Sequence, residues 1–356
     1  MLVSDVSEGQ LLAAFLPLLQ AHNAKAEQVR SQALRVAALD TGTTAGAGQL
    51  VIGPGDDAAA LDLRSGLTVM SIDTQTENQD FRRTWASGHQ TGGYEVGWKA
   101  ATQNLADIAA MGAVPVSLLV SLTLTPDTPV TWVTDFARGL TESARAQGAV
   151  TCTIAGGDLG SGSELSVTVT SIGLTADPVT RSGAQAGDVL VLAGALGTAA
   201  AGLALLDYPA PYSSTPDTEA CITAQQKPIS PLQLGAAHGN QLNAMLDVSD
   251  GLVRDAGRIA SASNVSINID SKALAPWIHR VLPVAQVLAP GQEAQTLALR
   301  WVLTGGEDHA LLATCPAGQI PPGFTRIGEV STGSGVTVDG RIYEGKGWDH
   351  FESDSH

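Results

Sequence analysis

Short runs rich in strand formers are separated along this chain by stretches whose apolar residues recur at helical spacing, so strands and helices are expected in alternation. In the first twenty residues, MLVSDVSEGQLLAAFLPLLQ, the apolar positions are interrupted by Ser7, Glu8, Gly9 and Gln10. They predict a short amphipathic helix, followed at 39–50 by a small-residue linker, LDTGTTAGAGQL. LTVMSID at 67–73 predicts a strand ending in an aspartate. Residues 87–126 predict a loop, a long helix and a buried strand, 130–147 a helix, and 149–158 and 165–175 two more strands. Loop, strand, Gly turn and helix follow over 180–206, and a polar, Pro-rich insertion occupies 207–231 before the alternation resumes. A domain boundary falls near residue 178, giving an N-terminal domain over 1–178 and a C-terminal domain over 179–356.

Composition narrows the class. Hydrophobic residues make up 44% of the 356 but aromatics only 4%, so the cores must be built from Ala, Val, Leu and Ile, as in a soluble α/β protein. The net charge of −16, with only 19 Lys and Arg, argues against a basic groove for nucleic acid, and an anionic ligand would need metal help. Cys152, Cys221 and Cys315 are widely spaced and include no CxxC pair, which fits a reducing cytoplasm and argues against a zinc site. No apolar run reaches the ~18 residues of a membrane span, and the N-terminus lacks the basic segment of a signal peptide.

Acidic residues recur among small or Gly-rich neighbours at predicted strand ends or on helix faces: Asp56 and Asp57 in GPGDD, Asp73, Asp107 in NLADIAAMGA, Asp158 in AGGDLG, and Asp247 and Asp250 in MLDVSDGL. Carboxylates so placed are costly without a cation among them, and oxygen-only ligands favour a hard ion such as Mg²⁺, bound together with substrate phosphates. Each cluster alone also fits a turn or a helix cap: Asp250 could cap the helix beginning GLVRDAGRIA. Asp107, among Leu105, Ile108, Ala109 and Ala110, lies in an apolar helix and needs a partner. GALGTAAAG at 194–202 lacks the Gly-Lys-Ser/Thr of a P-loop and a clean G-x-G-x-x-G, and predicts a close-packed strand-to-helix turn. Ser249 is not in a G-x-S-x-G elbow, and the seven histidines lack metal-ligand spacing.

Taken in order, GPGDDAAAL, SIDT, GWKAATQNLADIAAMGAVP, AGGDLG, TRSGAQAGDVLVLAGALGTAAAGLALL, LDVSDGLVRD, LTGGEDHALL and GWDHF resemble the thiamine-monophosphate kinase family, over about residues 9 to 351. The resemblance implies the two-domain α/β (α+β) fold of the aminoimidazole ribonucleotide synthetase type. It implies a homodimer whose N-terminal sheets pair, with a C-terminal domain closing over nucleotide and substrate. It implies ATP-dependent phosphorylation of thiamine monophosphate to thiamine diphosphate with several Mg²⁺ ions, the last step of thiamine diphosphate biosynthesis.

Carried over by motif, Asp57, Ser71, Ile72, Asp73, Asp107, Asp158, Asp247 and Asp250 are implied metal ligands, Ile72 through its backbone carbonyl. Asp57, Asp158 and Asp250 are the implied catalytic residues, Gly157, Asp158, Arg181 and Ser249 the ATP contacts, and Asp80, Glu307 and Trp348 the substrate side. Asp80 stands where the family usually has a substrate-contacting histidine, and His309 where it has the tyrosine of GGEDY. Two other readings stay open at this point: a sister ATP-dependent enzyme of the superfamily acting on another acceptor, and a non-catalytic nucleotide or thiamine-phosphate binder.

Overall fold

The computed structural model describes residues 1–40, 49–52, 60–63, 66–343 and 345. Two compact units result, Met1–Trp85 with Gln90–Pro178, and Val179–His356 with Ala86–His89.

The first unit contains α1 (Glu8–Asp40), β1 (Gln49–Ile52), β2 (Ala60–Asp62), β3 (Leu67–Thr76), α2 (Gly93–Ala110), β4 (Val114–Leu124), α3 (Val130–Ala146), β5 (Thr153–Ser161) and β6 (Ser166–Thr175). The strands β3, β6, β4 and β5 lie in that order, with β4 and β5 parallel and the other pairs antiparallel. α2 packs on β3, β6 and β4. Its Leu105, Ala106, Ile108 and Ala109 are fully buried with Leu118 and Val169, each large aliphatic side chain contributing ~2 kcal/mol of burial. Along β3 the period of two turns Ser71, Asp73 and Gln75 to one face and Met70, Ile72 and Thr74 to the other. Met70 and Ile72 are 68% and 64% exposed.

α1 is far longer than the short helix expected. Its inward positions continue past the apolar Leu11, Phe15 and Leu19 as His22, Asn23, Ala26 and Arg30, so the stripe turns polar midway while keeping helical spacing. Those polar side chains close the edge of β5. The Asn23 amide donates to the Ile154 carbonyl and accepts its N–H, both at 2.8 Å; His22 Nε2 lies 2.8 Å from the Cys152 carbonyl; Arg30 donates to the Thr151 carbonyl at 2.9 Å. The small-residue linker expected at 39–50 lies largely outside the described residues, its ends belonging to α1 and β1. The strand expected at 149–158 begins later, at Thr153, because Ala149 and Cys152 close a turn after α3.

The second unit contains β7 (Asp188–Ala193), α4 (Thr198–Leu206), α5 (Pro216–Gln226), α6 (Leu232–His238), β8 (Ala244–Val248), α7 (Leu252–Ser263), β9 (Val265–Ile269), α8 (Ala275–Leu288), α9 (Gln292–Thr304), β10 (Ala310–Pro316), β11 (Thr325–Thr332), β12 (Gly335–Val338) and β13 (Arg341–Ile342). Its seven-stranded sheet runs β13, β12, β9, β11, β7, β10, β8. β7 and β8 are buried along their whole length, and each buries one aspartate, Asp188 at the head of β7 and Asp247 within β8, among apolar residues. The Pro-rich insertion is not featureless: Pro216 opens α5, Thr215 caps it by accepting the Thr218 N–H, and Cys221 and Ile222 are buried. Proline at the first position of a helix loses no hydrogen bond, so there it starts a helix rather than breaking one.

Candidate active site

On the helix-facing side of β3, Ser71 donates its hydroxyl to Asp107 Oδ2 of α2 at 2.5 Å. The apolar-flanked Asp107 thus has the partner its setting demands. Two residues along the same face, Asp73 keeps Oδ2 buried with no hydrogen-bond partner among the described residues. Ile72, between them, turns its side chain to the exposed face, so only its backbone belongs with this set. Asp80 follows in the turn after β3, where its Oδ2 accepts the Thr76 N–H at 2.7 Å and the buried Lys99 donates to its backbone carbonyl at 3.1 Å. Asp56, Asp57 and Trp348 lie outside the described residues.

Asp158 sits exposed on β5, next to Gly157. A Cβ on Gly157 would stand 1.7 Å from the Val120 carbonyl oxygen, so no other residue fits this approach of β5 to β4. Gly156, Gly157 and Asp158 border a groove of about 860 Å³ in the first unit, walled on its apolar side by Leu12, Phe15 and Leu140.

In the second unit the aspartates already meet protein nitrogens. Asp247, at the end of β8, has Oδ2 3.1 Å from His309 Nδ1. Asp250, ahead of α7, pairs with Arg258, and Arg254 Nε lies 3.9 Å away. Between them is Asp255, fully buried, which accepts the Asp250 N–H at 3.0 Å and binds Arg258 at 2.5 Å. Burial pushes the Asp255 carboxyl up to about 7, against the pull of the Arg258 charge. Ser249 accepts the Glu307 N–H on its carbonyl at 2.9 Å. Arg181 is exposed on a loop tied by Ser263, whose hydroxyl donates to the Arg181 carbonyl at 2.9 Å and accepts the N–H groups of Gly183 and Ala184.

The N-terminus of α4, the turn of GALGTAAAG, holds an anion supplied by the chain itself. Asp308, 2% exposed, accepts the Gly197 N–H at 2.5 Å, the Thr198 hydroxyl at 2.7 Å and the Ala199 N–H at 2.9 Å. These donors satisfy orphan N–H groups of the helix start. They oppose the burial that raises the Asp308 pKa.

Asp255, Arg258 and Asp308 escaped the reading of the sequence. Asp255 and Arg258 were legible as an i,i+3 pair on the helix after SDG, with Asp255 in its first turn. Asp308 had no local signal, since its partners lie about 110 residues away.

The described residues contain no group of three His, Cys, Asp or Glu side chains gathered for a metal. The Ser71, Asp73 and Asp107 set nonetheless suits a hard cation. Its donors are all oxygens, and the buried, partnerless oxygen of Asp73 is an unmet demand for positive charge. Asp247 and Asp250, by contrast, each already have one carboxylate oxygen, Oδ2, engaged by a protein nitrogen, that of His309 and that of Arg258.

Residues 55–175 match the family described as AIR synthase related protein, N-terminal domain, and residues 185–340 its C-terminal domain. A Mycobacterium tuberculosis protein named thiamine-monophosphate kinase is 39% identical over 306 residues, 85% of this chain and 86% of its own. The Aquifex aeolicus protein of the same name is 33% identical over 299 residues, 83% and 92% of the two chains. The solved structure of AaThiL complexed with AMPPCP and TMP superposes with a TM-score of 0.72 at 31% identity, covering 83% of this chain and 91% of that one.

Proposed function

The chain belongs to the thiamine-monophosphate kinase family, and from that premise we propose that the γ-phosphoryl group of ATP passes directly to the phosphate of thiamine monophosphate, beside Mg²⁺ held by carboxylates. The reaction is the ATP-dependent phosphorylation of thiamine monophosphate to thiamine diphosphate, and the protein is a kinase. The observation that carries the metal reading is the buried, unpartnered oxygen of Asp73 on the face where Ser71 holds Asp107.

Asp73 and Asp107 would hold the ion, Ser71 fixing the Asp107 carboxylate, with Asp57, Asp158 and the Ile72 carbonyl assigned by resemblance. Bound Mg²⁺ neutralises phosphate charge and orients the phosphoryl groups. Asp247 and Asp250, in the second unit, are assigned to the metal by resemblance alone. The chain's own work is otherwise placement. The acceptor is a phosphate monoester whose second pKa is about 6, so it arrives as a dianion and no side chain has to remove a proton from it. Gly157, kept without a side chain by the close approach of Val120, is assigned to the nucleotide by resemblance, together with Asp158 and Ser249. Arg181, exposed and unpaired among the described residues, steadies the ATP phosphates. Glu307, Asp80 and Trp348 are assigned to the thiamine side.

The open face of the first unit's sheet, with Met70 and Ile72 68% and 64% exposed, supports assembly as a homodimer through that face. No helix among the described residues is long and apolar enough to cross a membrane, and we assign the reaction to the cytoplasm.

Incubation with ATP, Mg²⁺ and thiamine monophosphate tests the proposal. It predicts ADP and thiamine diphosphate in equal amounts and no phosphorylated protein on trapping during turnover. A labelled phosphoprotein competent to pass its phosphate on would overturn direct transfer. Arg181→Ala should raise the ATP KM, and an unchanged value would remove Arg181 from the nucleotide contacts.

A further inference from the structure

The loop joining α9 to β10, Gly305 to His309, is held in a conformation its residues do not favour. Glu307 and His309 both have left-handed backbone, with φ of 67° and 50°, a region unfavourable for residues other than glycine. Such strain persists only where the surroundings over-determine it. Two of the constraints come from the strand end below: Glu307 donates its N–H to the Ser249 carbonyl at 2.9 Å and His309 its own to the Val248 carbonyl at 3.0 Å. At Gly306 a Cβ would stand 2.4 Å from the Ser249 carbonyl oxygen, so the loop backbone lies directly on the segment carrying Ser249.

The third constraint sits between the two strained residues. Asp308 points away from solvent and engages the first turn of α4 through the Gly197 N–H, the Thr198 hydroxyl and the Ala199 N–H. A carboxylate with three donors at a helix start is bound with charge-assisted hydrogen bonds, each stronger than a neutral one. Because its neighbours have left-handed backbone, this anchor sets where the half-buried Glu307 side chain is presented.

We infer that Asp308 is a positioning residue for the thiamine side of the reaction, acting through Glu307 by clamping the strained loop to the N-terminus of α4. The inference rests on the assignment of Glu307 to the thiamine side. α4 spends its anion-binding end on the protein's own carboxylate, and the return is an oriented loop rather than a bound phosphate.

Steady-state kinetics of Asp308→Asn, Thr198→Ala, Glu307→Gln and the Asp308→Asn/Glu307→Gln pair, each with a thermal unfolding curve, test it. Asp308→Asn is expected to raise the KM for thiamine monophosphate about tenfold or more, leaving the ATP KM unchanged. Thr198→Ala, which removes one bond of three and serves if Asp308→Asn does not fold, is expected to give a smaller shift in the same sense. The double variant is expected to be no worse than the poorer single one. A lower unfolding temperature with both KM values unchanged makes Asp308 merely structural and overturns the inference. So do effects that multiply in the double variant. If Glu307→Gln itself leaves the thiamine monophosphate KM unchanged, the Glu307 assignment falls and the inference with it; if Glu307→Gln raises that KM and Asp308→Asn does not, the inference alone falls.

Discussion

On β3, Asp73 keeps a buried carboxylate oxygen without a hydrogen-bond partner among the described residues, whereas around β8 and α7 each aspartate meets a nitrogen: Asp247 that of His309, Asp250 and Asp255 those of Arg258. Both regions place carboxylates at strand ends or beside helices, and the local sequences SID and DVSD give no hint of the difference. In the second unit the chain supplies nitrogen partners of its own, the Arg258 guanidinium and the His309 ring. In the first it leaves part of the charge for a ligand to satisfy, in a protein whose net charge of −16 offers few spare basic groups. How much of a carboxylate's charge the chain itself satisfies is thus set by its partners rather than by its motif.

The largest expected effect falls on the unsatisfied side. Asp73→Asn should lower kcat/KM about a thousandfold, the loss of several kcal/mol of charge stabilisation, while leaving the unfolding temperature unchanged or higher, since no hydrogen bond of the Asp73 side chain to the described residues is lost. A variant that unfolds more easily but turns over normally would reverse the comparison.

On the satisfied side the expected loss is stability. Arg258→Leu strands the fully buried Asp255 and should cost about 3 kcal/mol, measured by urea unfolding. Adding Asp255→Leu should recover part of that loss. A double variant as unstable as the sum of the single ones would mean that the pair is not coupled.

A smaller effect sharpens the first region from within. Ser71→Ala removes the hydroxyl that holds Asp107 and should weaken Mg²⁺ affinity about tenfold, read by titration of the free protein.

The smallest effect concerns neither acidic region and calibrates both. His22 has its pKa lowered by burial, with Arg145 and Lys25 acting in the same sense and the Cys152 hydrogen bond against it. The unfolded chain therefore binds the proton more readily. The stability contributed is present above the ordinary histidine value of about 6.5 and is lost as pH falls through the folded value. The unfolding temperature should drop on acidification from neutrality, and the drop should be shallower in His22→Gln.

What the sequence reveals depends on range. The strand formers of LTVMSID point to β3, which runs past the expected end at Asp73 to Thr76, and the apolar neighbours of Asp107 rightly demand a partner, Ser71, 36 residues earlier. The full length of α1 is hidden because its inward stripe becomes polar at His22 and Asn23, residues whose burial is compensated by the distant edge of β5. In the segment 207–231 the prolines mask α5, although Thr215 and Pro216 are a regular helix start. Asp308, between Glu307 and His309, carries no local signal because its partners lie in the turn before α4, far away in the chain. Local patterns carried the elements, and pairings across a hundred residues carried the electrostatics.

The measurement that tests the central claim most directly is a Mn²⁺ titration of the wild type and Asp73→Asn, read by electron paramagnetic resonance in the absence of nucleotide. The account predicts that the variant loses a bound ion the wild type holds, or binds it at least tenfold more weakly. Identical stoichiometry and affinity in the two proteins would show that the free oxygen of Asp73 is not where the metal binds, and the contrast between the two acidic regions would lose its meaning.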